Sequence, residues 1–188
     1  MISTSFKNAI ALHKTALDTL GSLEESVSDA AEVLVAAAKR KNIIYWCGNG
    51  GSAADCQHYA AELMVRYKEN REPIGSVALT TDTSLLTAHS NDFEYETVFS
   101  RQIRALGRNG DILVGISTSG NSKNVYLALQ EAKRLGVITI GLLGNDGGQI
   151  KSIVDHAIIV ESNVTASIQE CQLLIGHFWC DRIESEFI

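Results

Sequence analysis

Proline is nearly absent from this 188-residue chain: Pro73 stands alone against 15 glycines. No linker, low-complexity run or internal repeat interrupts the sequence, and its length fits one domain, residues 1–188, better than two. Cysteine is sparse: Cys47, Cys56, Cys171 and Cys180 form no CxxC pair, a spacing that favours buried thiols over a redox or metal role. Cationic residues are outnumbered, with 16 Lys and Arg against 22 Asp and Glu and a net charge of -6. With no local basic patch, nucleic acid is not an expected partner. No run of about 18 apolar residues occurs, so no membrane association is expected. The opening "MISTSFKNAIALHK" lacks the apolar core and cleavage site of a signal peptide, and the expected location is cytoplasmic. What is present, 45% hydrophobic and 20% charged residues, is the composition of a folded globular protein.

Phe6, Ile10, His13, Leu17 and Leu20 recur at helical spacing over residues 3–20, as do Val27, Ala31, Leu34 and Ala38 over 24–41. Short apolar runs follow at 43–47, 76–80, 111–116, 137–143 and 156–160. Each leads through a turn into a helical pattern, the second into a stretch that reads as two short helices. Such strand–helix units with nearly continuous apolar strands predict a three-layer, doubly wound α/β sandwich around a five-stranded parallel sheet, plus N-terminal helices. The helix expected over 163–186 puts Val164, Ile168, Ile175, Phe178, Trp179 and Ile183 on one stripe. Gln169, Gln172 and Gly176 lie on the next, a polar line without an obvious purpose in solvent. The segment 1–41 either covers this chain's own sheet or contributes to oligomer contacts; amphipathicity alone does not decide.

Ligands of doubly wound sheets sit beyond the carboxyl ends of the strands, so the turns there come first. "CGNGGS" (47–52) follows the first strand; its glycines admit a ligand to the backbone and the next helix presents free N–H groups, although a plain tight turn has the same composition. "STSGNSKN" (117–124) follows the third strand and gathers Ser117, Thr118, Ser119 and Ser122 at a helix start. Helix capping would use one hydroxyl; a phosphate monoester would use several. On the helix after "CGNGGS", His58 and Glu62 share a face, as do Glu62 and Arg66. They form either a surface ion-pair set or, near the pocket, a metal-ligating and proton-moving pair. Gln169 and His177 are eight residues apart, about 12 Å of helical rise, so they meet one small ion only by reaching toward a point between them or from different subunits.

Taken together, "CGNGGSAADCQHYAAEL", "RYKENR", "SNDFEYETVFSRQI", "GDILVGISTSGNSKNV", "GNDGG" and "IQE" followed by His177 resemble the sugar isomerase (SIS) domain, and within it the phosphoheptose isomerases, over nearly the whole chain. The resemblance implies an aldose–ketose isomerase that converts D-sedoheptulose 7-phosphate to D-glycero-D-manno-heptose 7-phosphate, the first step toward activated heptose for lipopolysaccharide or capsule. Glu62 would be the base and His177 the acid. Asn49, Gly50, Gly51 and Ser52 would line the sugar site, with Arg66, Asn91, Asp92 and Gln169, while Ser117, Thr118, Ser119 and Ser122 would hold the phosphate. The implied cofactor is one zinc per subunit on His58, Glu62, Gln169 and His177, and the implied assembly is a homotetramer. Glu62 as tight metal ligand and Glu62 as free base are alternatives that fit different states. The chain departs from the family pattern at Ala166 and Gln172, positions that bear on fine substrate preference.

Two other readings compete. A noncatalytic SIS regulator that binds a phosphosugar or a replication initiator resembles the chain across its glycine-rich and "SNDF" segments but lacks the acid/base pair, which Glu62 and His177 supply here. An isomerase of hexose or pentose phosphates is the second, because nothing in the turns measures sugar length.

Overall fold

A computed structural model describes residues 5–188; the first two residues of the helix expected from residue 3 lie outside the described residues. Ser5 caps α1 (Phe6–Asp18), its hydroxyl accepting the Asn8 N–H at 3.2 Å. A 3-10 turn, Thr19–Leu23, leads into α2 (Glu24–Lys39), whose first turn carries Glu24 and Glu25 and whose last carries Lys39, matching the helix dipole. Then come β1 (Ile44–Cys47), α3 (Gly51–Met64), β2 (Ser76–Ala78), α4 (Thr83–Asp92), α5 (Val98–Leu106), β3 (Ile112–Ser117), α6 (Lys123–Arg134), β4 (Ile138–Gly144), β5 (His156–Val160) and α7 (Thr165–Glu184).

The strands pair parallel throughout in the order β2-β1-β3-β4-β5. Successive residues of each strand face opposite sides, which splits the core in two. Ile44, Trp46, Ile112, Val114, Ile140 and Leu142 meet α2, α3 and α7 on one face. Tyr45, Cys47, Leu113 and Leu143 meet α5 and α6 on the other. This is the expected three-layer doubly wound sandwich. All four cysteines are free and buried, and burial pushes the Cys180 thiol up to about 12.

The structure departs from sequence expectation in two places, and it decides a third that the sequence left open. No α-helix follows β4; residues 145–155 form only a 3-10 turn, Ile150–Ser152, because Asn145, Gly147 and Gly148 have positive φ and turn the chain back on itself. The α1 stripe, whose cover the sequence left open, faces outward at Phe6, 82% exposed, and Ile10, 42% exposed, since α2 already covers the sheet with Ala31 and Leu34. On α7, Phe178 is likewise exposed. The polar line beside it has a packing purpose. Gly176 leaves room for the Tyr59 ring, the Tyr59 hydroxyl donates to the Gln172 carbonyl at 3.0 Å, and Gln172 Nε2 donates to the Leu142 carbonyl at 3.0 Å.

Candidate active site

β1 and β3 are neighbours, yet the helices that follow them go to opposite faces: α3 packs with α2 and α7, and α6 packs with α5. A crevice opens at such a switch point, beyond the strand ends. Gly50 begins α3 at φ +57°, a conformation that costs glycine little. Asn49 beside it exchanges amide hydrogen bonds with Asn124 of α6, donating at 2.9 Å and accepting at 2.8 Å, and also accepts the Tyr95 hydroxyl at 2.9 Å. These bonds tie the β1 turn to the β3 turn across the crevice. Ser52 is buried in the first turn of α3, with Gly51 exposed at its start.

At the β3 turn, Ser117 Oγ lies 2.9 Å from Ser122 Oγ and 3.5 Å from Ser119 Oγ. Ser122 occupies the N-cap of α6 without a side-chain capping bond. The hydroxyls therefore face one another at a helix N-terminus, where an anion is favoured. Thr118 completes the turn; its carbonyl accepts Asn145 Nδ2 at 2.9 Å. The loop after β4 braces the turn from behind. Gly120 has φ +65° and any side chain on it would overlap the Gly147 carbonyl, while Ile150 N–H donates to the Gly120 carbonyl at 3.0 Å.

Two turns into α3, His58 Nε2 lies 3.1 Å from Glu62 Oε1. The His177 ring comes from α7 of the same chain to 5.0 Å from the His58 ring, edge-on at 78°. The Tyr67 ring also lies 5.8 Å from that of His177. Asp55, a turn before His58, is half-buried; burial raises its carboxyl above the ordinary value, against the opposing charges of His58 and His177.

Not every candidate residue joins this cluster. Gln169 lies at the mouth, where its amide rests against Gly51. Arg66 is past the end of α3 at Met64 and donates to Asn70 Oδ1 at 3.0 Å, so the surface ion pair with Glu62, one of the two readings of that spacing, does not form. Asn91 and Asp92 end α4 on the surface and bond to each other at 2.8 Å; three residues on, Tyr95 is the link from that segment to Asn49. Among the described residues no three His, Cys, Asp or Glu side chains converge as metal ligands. Two imidazoles and a carboxylate suit a divalent transition metal in kind, but His58, Glu62 and His177 would have to draw together, with the His58–Glu62 bond opened, to hold one. Sequence reasoning passed over Asn124, Tyr95, Tyr67 and Asp55. Only Asp55 left a trace there, three residues before His58 and seven before Glu62 on one helical face.

A serine turn at an uncapped helix N-terminus and a glycine-rich turn, side by side at the switch of a parallel sheet, form the kind of site that favours an anionic ligand. The SIS domain family model matches residues 6–144. The phosphoheptose isomerase of Akkermansia muciniphila is 50% identical over 167 residues, 89% of this chain and 88% of its own. That of Helicobacter pylori strain Shi470 is 49% identical over 188 residues, 100% of this chain and 98% of its own. The solved phosphoheptose isomerase of Neisseria gonorrhoeae superposes with a TM-score of 0.90 at 44% identity, over 95% of this chain and 96% of that one. The chain belongs to the SIS domain family and, within it, to the phosphoheptose isomerases.

Proposed function

We propose that this isomerase interconverts D-sedoheptulose 7-phosphate and D-glycero-D-manno-heptose 7-phosphate through an enediol, with Glu62 moving the proton between carbons and His177 serving the oxygens. The Glu62 carboxylate takes the proton from C1 of the open-chain ketose, and the C–H electron pair becomes the C1=C2 bond. His177 gives a proton to the C2 carbonyl oxygen. Glu62 then returns its proton to C2 while the C1 hydroxyl gives its proton to His177, which leaves an aldehyde. The observation that supports this reading is that His58 Nε2 lies 3.1 Å from Glu62 of α3 while its ring stands 5.0 Å from that of His177 of α7, which brings the two helices' candidate groups to one histidine. Proton transfer by positioned groups of this kind contributes about 10²–10⁴-fold.

Ser117, Thr118, Ser119 and Ser122 would bind the phosphate, and Asn49, Gly50, Gly51 and Ser52 the sugar, with Arg66, Asn91 and Asp92 at its edge. One zinc per subunit belongs to the proposal: His58, Glu62 and His177 would hold it, with Gln169 once its amide leaves Gly51. Bound there it would supply Lewis acidity at the substrate oxygens. Glu62 cannot be a tight ligand and a free base together, so those roles fall to different states. A homotetramer would cover the apolar faces of α1 and α7. No described helix is long and apolar enough to cross a membrane; a cytoplasmic enzyme would meet its charged substrate where that substrate is held.

The test is NMR of sedoheptulose 7-phosphate with the protein in deuterated water, with and without zinc. The expected result is the aldose carrying deuterium at C2, and a loss of about 10²–10⁴-fold in Glu62→Gln. Wild-type turnover in that variant would remove Glu62 as the base. No product from heptose, hexose or pentose phosphates would leave a binding module.

A further inference from the structure

The segment between α3 and β2 is fastened from beneath by two charged side chains that the reaction above does not use. Glu184, the last residue of α7, is 1% exposed. Its carboxylate accepts three successive backbone N–H groups: Tyr67 at 2.8 Å, Lys68 at 2.7 Å and Glu69 at 3.0 Å. Consecutive N–H groups of this kind form an anion-binding nest, here filled by the protein itself. The Arg71 side chain is fully buried with its Nε 3.3 Å from Glu184 Oε1. Its Nη2 donates to the Glu62 carbonyl at 2.8 Å and its Nη1 to the Leu63 carbonyl at 2.7 Å and the Glu72 carbonyl at 3.1 Å.

Glu62 and Leu63 belong to the last turn of α3, whose carbonyls have no partner within the helix. Arg71 supplies those partners and is itself held at the end of the helix that carries His177. The same clasp fixes Tyr67, whose ring lies against His177. Burial pushes the Glu184 carboxyl up, but the three N–H groups and Arg71 outweigh it and hold the carboxyl below its ordinary value, so the clasp stays ionised near neutral pH.

We infer that Arg71 and Glu184 are positioning residues for the isomerase reaction: their buried clasp, which joins the end of α3 to the end of α7, sets where Glu62 stands relative to His177. The inference rests on the reading of those two as base and acid. Stability alone is a poor reason for the pair, because a buried ion pair offsets little more than the cost of desolvating it. Among the described residues it is the ion pair with both side chains buried, and it sits on the Glu62 backbone. A displacement of about 1 Å at a catalytic group can cost about 10²-fold in rate.

Glu184→Gln keeps the shape and removes the charge; Arg71→Lys keeps the charge and removes the fork, and stands in if the first variant fails to fold. Glu131→Gln, which breaks an ion-pair cluster on α6, serves as control. In the two clasp variants kcat is expected to fall about 10–100-fold with KM held within about threefold, and the His177 imidazole resonances in the proton NMR spectrum to shift. The control should lower the melting temperature while leaving kcat and those resonances alone. Clasp variants that merely melt earlier, with kcat and the His177 resonances unchanged, would overturn the inference. Full turnover by Glu62→Gln would defeat the catalytic reading instead, and the His177 resonances would still report on the clasp.

Discussion

The hydroxyl oxygens of Ser117 and Ser122 lie 2.9 Å apart, so a serine standing at the cap of α6 turns its side chain to another hydroxyl instead of to the helix. That choice leaves the helix N-terminus open to an anion, and Ser119 stands 3.5 Å from Ser117 on the same turn. Replacing Ser117 and Ser119 together by Ala is expected to raise KM for the sugar phosphate about 10–100-fold, the loss of two hydrogen bonds to a charged group, with kcat within about threefold. Steady-state kinetics with inorganic phosphate as competitor checks this. An unaltered KM would move the phosphate to another turn.

The sheet was legible because each of its strands is an apolar run bounded by a turn, and a parallel strand covered on both faces can be little else. The hydroxyl turn was legible because four Ser and Thr in six residues exceed what a cap needs. Other features depend on contacts that no local pattern announces. Asn124 and Tyr95 matter through Asn49, across the crevice and distant in sequence. The Glu62–Arg66 spacing suggested a helical pair, but α3 stops at Met64, where Ile74 N–H and Arg71 take the Leu63 carbonyl. Gln172 looked like a stray polar residue on α7 until β4 supplied the Leu142 carbonyl. The α1 stripe showed amphipathicity without showing which surface would cover it.

Glu131 gives the fold an acid-sensitive support. Its carboxyl, bonded by Arg134 and Arg104, lies at about 2 against an ordinary 4.5. The folded state thus binds that proton more weakly than the unfolded one, so the cluster stabilises the fold above about pH 4.5 and its contribution fades as pH falls toward about 2. The Arg134 and Arg104 side chains are 63% and 66% exposed, and screening by solvent keeps the effect on the order of 1 kcal/mol. Glu131→Gln should therefore lower the urea midpoint near neutral pH, with the gap to wild type narrowing near pH 3. A gap that stays constant across that range would show that the loss comes from packing and not from charge.

Leu174 and Phe178 on α7 are 51% and 43% exposed and edge an apolar groove with Leu20, Val27 and Ile175. Phe6, Ile10 and Leu17 add the outward face of α1, where His13 Nδ1 comes within 2.6 Å of Glu170 on α7. Apolar area of this extent on one side is what a symmetric assembly buries. If the proposed tetramer uses this face, replacing both Leu174 and Phe178 by Asp should shift the protein to a smaller species in sedimentation velocity, because each subunit would bring two charges into the contact. The circular dichroism spectrum should not change, since neither side chain is buried within its own chain. An undiminished mass would place the interface on another face. Because Glu62 and His177 both approach His58 within one chain, the dissociated variant also separates the proposed proton-transfer groups from any part of the site that a neighbour completes. Loss of turnover on dissociation, with the His177 resonances unmoved, would assign that missing part to the adjoining subunit.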